Sequence, residues 1–304
     1  MKIIIFGATG FIGKRLVNAL QSENYELTVI TRNARNALEI LGETAEFFEW
    51  DGENSSDLGP VFKDAYGIIN LAGESIASKK WSTQQKERIL KSRINTTEAI
   101  INEINGLEKK PAVMLQGSAI GYYGSDFENA FDEDSPEGKG FLAEVTQQWE
   151  SVTEKLDPSV RLVLIRTGIV VGPGGGALKP MTMPFKFGIG GHIGSGKQWL
   201  SWIHIDDEIK AITFLLENID ARGVYNLTSP EPVTMKVFAK ELGRVLKRSS
   251  WFHIPPIIIK SMMGQMGREM LLTSQKVIPG RLIEADFQFQ FNDVRLALTN
   301  IFNS

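Results

Sequence analysis

The chain has 304 residues, 42% of them hydrophobic and 23% charged, which suits a globular protein with one large domain and an appendage, or with two domains. Lys+Arg number 33 against Asp+Glu 36, a formal net charge of -3, so the general basic footprint of a nucleic-acid binder is absent. Cysteine is absent and the histidines are His192, His204 and His253, which removes disulfides, thiol nucleophiles and cysteine metal sites and leaves no histidine-rich metal centre to expect.

Lys2–Phe6 is continuous and β-branched, the pattern of a strand buried on both faces. A glycine turn follows. Residues 14–21 then place Leu16, Val17 and Leu20 at helical spacing, and Glu26–Thr31 reads as a second strand. The unit is strand, glycine turn, helix, strand. Further apolar runs lie at 47–50, 67–71, 112–117 and 161–165, with helical patterns at 84–104 and 142–156 between them. Strands alternating with helices predict an α/β fold with a doubly wound parallel sheet. Composition shifts after Gly168. Residues 171–196 are rich in glycine and proline and read as a partly irregular insertion of binding loops. An amphipathic helix is expected over 233–247, followed after Trp251 by a Met-rich apolar segment to about Gly267. This divides the chain into a nucleotide-binding domain over 1–168, to whose sheet later segments return, substrate-region loops and helices over 169–250, and a small C-terminal domain over 251–304. Glycines and then Lys14 and Arg15 interrupt the first apolar run, and no run reaches the ~20 residues of a membrane helix. Neither a signal peptide nor a membrane span is expected, and the location expected is cytoplasmic.

Gly7, Gly10 and Gly13 sit at relative positions one, four and seven between the first strand and the first helix. The first permits a tight turn, the second lets backbone approach a pyrophosphate at the helix N-terminus, and the third lets helix and sheet pack closely. In this context the pattern predicts a Rossmann-type dinucleotide site. The second strand ends in Thr31-Arg32-Asn33, where an NAD-selective site places Asp or Glu for the ribose hydroxyls. A guanidinium there favours a 2′-phosphate, so NADP(H) is expected over NAD(H), with Arg35 as a second candidate. Asp51 reads either as an adenine contact or as a turn residue.

With Asn70-Leu71-Ala72-Gly73-Glu74, Lys91-Ser92-Arg93, Gly121-Tyr122-Tyr123-Gly124, Arg166-Thr167-Gly168, Gly188-Ile189-Gly190-Gly191 and Trp202-Ile203-His204-Ile205-Asp206-Asp207 in order, the chain resembles the extended short-chain dehydrogenase/reductases. Within them it resembles the atypical NAD-dependent epimerase/dehydratase subgroup called "epimerase family protein", whose members end in a short domain of unassigned function, as 252–303 does here. The resemblance implies pyrophosphate binding by Gly7, Thr9, Gly10, Phe11, Ile12 and Gly13, and a 2′-phosphate at Thr31 and Arg32. It also implies that Leu71, Ala72 and Gly73 lie beside the ribose and nicotinamide, with Arg93 projecting toward the cofactor and Val170 at the nicotinamide end. Dimers are common among extended members, so a homodimer is a candidate assembly.

The superfamily's chemistry uses a Tyr as acid/base, a Lys four residues on that lowers its pKa, and a Ser or Thr that polarises the substrate oxygen. Ser118 fills the last role here. Aligning Glu150 with the glutamate that commonly follows the pair puts Leu142 and Thr146 where Tyr and Lys belong. Tyr123 becomes the candidate proton donor, with pocket lining as its other reading. Tyr122, Glu74, His192 and Lys197 are candidate substrate contacts, whereas the His204 segment reads as a helix start. The expected function is an NADP(H)-dependent oxidoreductase or epimerase-like activity on a small hydroxy or carbonyl compound. The alternative is a non-catalytic NADP(H)-binding redox sensor or scaffold.

Overall fold

The computed structural model describes residues 1–52 and 58–303. Seven strands form the main sheet: β1 Lys2–Phe6, β2 Glu26–Thr31, β3 Glu46–Glu49, β4 Gly67–Asn70, β5 Val113–Ala119, β6 Arg161–Thr167 and β7 Gly223–Leu227. Their spatial order is β7-β6-β5-β4-β1-β2-β3. The chain winds outward from β1 to β3 and then returns to β4 on the other side of β1, with the pairings β1–β2, β2–β3, β1–β4 and β4–β5 all parallel. This is the α/β, Rossmann-type doubly wound sheet, and its winding reverses between β1 and β4. Ligands of such sheets bind outside the carboxyl ends of the strands at that reversal. The register brings the ends together: Phe6 stands opposite Ile30 on one side and Asn70 on the other. The next residues, Gly7, Thr31 and Leu71, therefore emerge side by side.

The chain divides into two compact units. The first comprises Met1–Ser118, Val145–Ile165 and Ile209–Val224. Its central strand is fully enclosed, with Ile3, Ile4 and Ile5 at 0% exposure, as a β-branched run in a doubly covered sheet requires. Phe6 packs edge-on against Trp50 and Phe62, and Ile68, Ile100, Ile104 and Met114 continue the same core. Arg161, buried at the start of β6, donates to the carbonyls of Leu215, Leu216 and Ala221 at 2.6–2.9 Å. It thereby satisfies the C-terminal carbonyls of the helix Ile205–Glu217, where a cation also suits the helix dipole. Arg161→Met strands these acceptors and is expected to cost about 2 kcal/mol in urea unfolding. An unchanged midpoint would contradict this assignment.

The second unit comprises Ala119–Glu144, Arg166–Glu208 and Tyr225–Ser304. Its core joins Phe185, Trp202, Phe238, Leu242 and Leu298, from helices Leu178–Lys186, Met235–Val245 and Val294–Asn303 and the strand Trp202–His204, with Phe291 from the segment before the last helix. The glycine- and proline-rich insertion thus contains a helix, Leu178–Lys186, with Pro184 inside it. The Met-rich segment is also helical, Pro256–Leu271, and is kinked at Gly264, whose φ is 57°.

Candidate functional site

In the first unit, Gly7 turns the chain out of β1 at φ 79°, a conformation that only glycine adopts cheaply. A Cβ on Gly7 would stand 2.6 Å from the carbonyl carbon and oxygen of Leu71, so the β1 and β4 exits can approach only because this residue has none. Gly10 N–H closes the turn on Gly7 O at 3.0 Å. The helix Gly13–Ser22 begins with no side-chain cap, and the N–H groups of Phe11 and Ile12 have no partner among the described residues. Uncapped amides at a helix N-terminus attract an anion. Phe11 itself lies under Arg15, whose guanidinium is 4.7 Å from its ring centre.

A second set of bonds fixes the opposite rim. Asn70, fully buried at the end of β4, donates to Thr97 Oγ1 at 3.2 Å and Gln116 Oε1 at 3.0 Å, and its own Oδ1 accepts Ala72 N–H at 3.1 Å. Trp149 Nε1 also donates to Thr97 Oγ1, at 2.9 Å. The bend through Leu71, Ala72 and Gly73 is therefore held by side chains from two neighbouring elements.

Between these rims runs a groove of about 720 Å³. Gly7, Thr9, Gly10, Thr31, Arg32, Leu71, Ala72, Gly73 and Glu74 all line it, as does Asp51. Phe11, Ile12, Gly13, Arg93 and Val170 are not among its lining residues. Gly13 instead sits behind the turn, fully packed, and Val170 is buried in the second unit on the strand Ile169–Val171, paired with Trp202–His204. Arg32 is exposed and makes no ion pair among the described residues, whereas Arg35 is taken by Glu39 at 3.5 Å. Asn33 caps the helix that follows, accepting Asn36 N–H at 2.8 Å.

Sequence reasoning singled out only Lys91 and Ser92 of one wall, as part of a motif and without a role. Gln84, Glu87, Arg88, Lys91, Ser92, Asn95 and Thr96 line the groove from one face of the helix Thr83–Gly106. For Gln84, Glu87, Arg88, Asn95 and Thr96 a spacing of three and four is the signal, and any solvated helix face carries it.

At the end of β5, Ser118 is 7% exposed and donates to Glu150 Oε1 at 2.5 Å. Glu150 lies on the helix Phe141–Val152, which also carries Leu142 and Thr146, where the resemblance expects Tyr and Lys.

The second unit corrects the expectation for Tyr123. Its side chain is 2% exposed, and its hydroxyl accepts from Arg166 Nη1 at 2.9 Å and donates to Asn226 Oδ1 at 2.7 Å. Burial pushes its pKa up to about 12, against the opposing pull of Arg166. A proton donor for chemistry near neutral pH needs the reverse shift and an open approach. Asn226 is tied in turn to Glu133, whose carboxyl is pushed up by burial, and to Ile278 O. Tyr122 stacks on the Arg166 guanidinium, 3.4 Å from its ring centre. These side chains form a structural network.

His192 lies on the short strand Gly191–Ile193, in register with His253 of Phe252–Ile254, their rings 5.0 Å apart. Burial, then the neighbouring His253, holds its pKa below the usual imidazole value. Lys197 is exposed in the turn that follows. His204 Nδ1 accepts Asp206 N–H at 3.2 Å, a helix-start role, and Asp207 binds the N–H groups of Gln290 and Phe291. Among the described residues no group of three or more His, Asp or Glu gathers as a metal site. None of their helices is long and apolar enough to cross a membrane.

Residues 3–228 match the model of the NAD dependent epimerase/dehydratase family, and 254–301 match a domain of unknown function, DUF1731. The chain belongs to the NAD-dependent epimerase/dehydratase family. Within it, the chain is 39% identical over 310 residues to the chloroplastic epimerase family protein SDR39U1 homolog of Arabidopsis thaliana, covering 99% of this chain and 86% of that protein. It is 34% identical to the epimerase family protein YfhF of Bacillus subtilis, over 99% and 98% of the two chains. Its fold matches the crystal structure of human epimerase family protein SDR39U1 (isoform 2) with NADPH at a TM-score of 0.90, with 31% identity and full coverage of both chains.

Proposed function

We propose that the protein binds NADP(H) in the groove of the first unit and acts as an oxidoreductase or epimerase on a small hydroxy or carbonyl compound. The observation that carries this reading is the groove itself, with uncapped amides at its glycine turn and an exposed Arg32 at the β2 exit that has no ion pair among the described residues. The NADPH held by the human relative supports it. The turn from Gly7 to Gly13 would receive the pyrophosphate. Thr31 and Arg32 would receive the 2′-phosphate, and the bend 71–73 would lie along the nicotinamide ribose. A nicotinamide so bound supplies a hydride acceptor or donor.

The protein's own part is to place the substrate and move its proton. The hydroxyl proton of Ser118 is committed to Glu150, which leaves the Oγ lone pairs as acceptors. A substrate hydroxyl donates to that oxygen. As its carbon is oxidised, its proton passes to Ser118 while the Ser118 proton passes to Glu150, and the carboxyl then returns the proton to water. Reduction runs the same relay backward. The pair substitutes for the Tyr and Lys that positions 142 and 146 lack.

The test is a titration with NADPH, NADP⁺, NADH and NAD⁺, beside Arg32→Ala. Preference for the phosphorylated pair is expected, with the variant losing about tenfold in NADPH affinity because the contact is exposed. No binding by any of the four would end this reading. Leu142 and Thr146 favour a second one, a redox sensor that binds both forms without turnover. Loss of NADPH absorbance with a panel of carbonyl compounds distinguishes the two.

A further inference from the structure

Phe187, Ile189 and Trp251 are 74%, 48% and 71% exposed. One such side chain in water is ordinary, but several together mark a contact surface. These three come from two stretches of the second unit that the fold brings together. The first leaves the helix Leu178–Lys186 and enters the strand Gly191–Ile193. The second leaves the helix Met235–Val245 and enters the strand Phe252–Ile254. The two strands pair in parallel with Gly191 opposite Phe252, and Phe252 N–H donates to Gly190 O at 3.0 Å. Ile189 and Trp251 thus precede the pair at the same end. The stretches also meet at Gly243, where a Cβ would stand 2.9 Å from Arg248 O, 3.0 Å from Ser250 Cβ and 3.3 Å from Phe185 Cε1.

The charge beside these tips has one sign. Lys186, Lys247 and Arg248 are exposed and form no ion pair among the described residues. Residues 178–205 and 242–268 contain Lys and Arg but no Asp or Glu, in a chain whose formal net charge is -3. Glu241, the acid just before the second stretch, is held by Arg244 at 2.8 Å. The backbone fixes where the second pair of cations stands. Lys247 turns the chain at φ 53°, its N–H donates to Arg244 O at 3.1 Å, and Arg248 N–H donates to Gly243 O at 2.8 Å. Helix dipoles favour cations at these helix ends, but they give no reason for Phe187, Ile189 and Trp251 to stand in water beside them.

Bare aromatic and aliphatic tips among unpaired cations suit the boundary of an anionic bilayer. There the rings enter the headgroup region and the cations meet lipid phosphates. A second copy of the chain is a poorer match, because a two-fold contact sets this face against itself and opposes cation to cation. We propose that this face of the second unit docks reversibly on membrane surfaces that carry anionic phospholipid. The proposal stands apart from the cofactor reading and uses none of the groove's residues.

The full chain is sedimented with sucrose-loaded vesicles of phosphatidylcholine alone, or of phosphatidylcholine and phosphatidylglycerol in equal parts. Binding is expected to the mixed vesicles, weakened by salt, with little to phosphatidylcholine. Phe187→Ser with Trp251→Ser, and separately Lys186→Glu with Arg248→Glu, should each lower the partition coefficient at least about tenfold. All four side chains are exposed, so urea midpoints close to that of wild type are expected for both variants. Tryptophan emission should shift to the blue on mixed vesicles in wild type, and much less in Trp251→Phe, which keeps an apolar ring and still binds. Equal sedimentation with both vesicle types, none with either, or binding that survives both double substitutions would each overturn the proposal. So would a dimer, seen by light scattering, that Phe187→Ser with Trp251→Ser dissolves, because it would assign the face to a second copy.

Discussion

Gly13→Ala is expected to destabilise the first unit by about 3 kcal/mol and to lower NADPH affinity about 100-fold. The added Cβ would meet Gly7 O at 2.3 Å and the Cα and carbonyl carbon of Ala8 at 2.6 and 2.9 Å. All three are backbone atoms of the turn, so none can rotate aside as a flexible side chain would. Relief requires the helix Gly13–Ser22 to move away from the turn. That movement separates the N–H groups of residues 11–13 from any pyrophosphate they would share, and two lost charge-assisted bonds account for the predicted affinity change. Ala at position 10 is the control for stability alone, since a pyrophosphate bound at the turn would itself meet a Cβ there. There the added Cβ would approach only Gly7 O, at 3.2 Å, which a shift of a few tenths of an ångström accommodates. Denaturant unfolding of both variants, and NADPH fluorescence titration of Gly13→Ala, make the comparison. If Gly13→Ala matched wild type in both, helix-to-turn packing would not be what this glycine provides.

The same physics explains what could be read in advance. The glycine turn and the first two strands were legible because backbone geometry there admits few residue types: positive φ at Gly7, close approach at Gly7 and Gly13, and a β-branched run enclosed on both faces. Sheet return late in the chain was expected, but β7 was not located. Its Gly-Val-Tyr-Asn-Leu lies inside the 169–250 region of expected loops and helices, and its Asn226 is buried and bonded to Tyr123, more than 100 residues earlier. Tyr123 itself follows Ser118 closely in sequence, yet its hydroxyl is governed by Arg166 and Asn226. Such long-range partners leave no local pattern. The helix Leu178–Lys186 was hidden by Pro180 and Pro184, whose cost in propensity is outweighed by burying Leu178 and Phe185. Ser118 was singled out by resemblance, but its bond to Glu150 emerges only when the helix carrying the glutamate packs beside β5.

Glu208 was passed over entirely, as one of three acids beginning a helix. It is fully buried in the first turn of Ile205–Glu217. Its Oε1 accepts Thr167 Oγ1–H at 2.8 Å, and its Oε2 is buried with no hydrogen-bond partner among the described residues. Burial raises its pKa from 4.5 to about 8, the Thr167 bond opposing only in part. The folded chain therefore holds a proton that the unfolded chain releases near pH 4.5. Between that pH and about 8 the folded state binds one more proton than the unfolded state, so stability falls as pH rises, by about 1.4 kcal/mol per unit. The contribution is intact below the unfolded pKa and fully lost above the folded one. Glu208→Gln keeps the shape and removes the titration. The difference in unfolding free energy between variant and wild type should grow in the variant's favour from roughly pH 5 to pH 8 and then level off. Urea unfolding of the two proteins at about pH 5, 6.5 and 8 measures it, and a difference independent of pH would mean that Glu208 is ionised in the folded protein throughout.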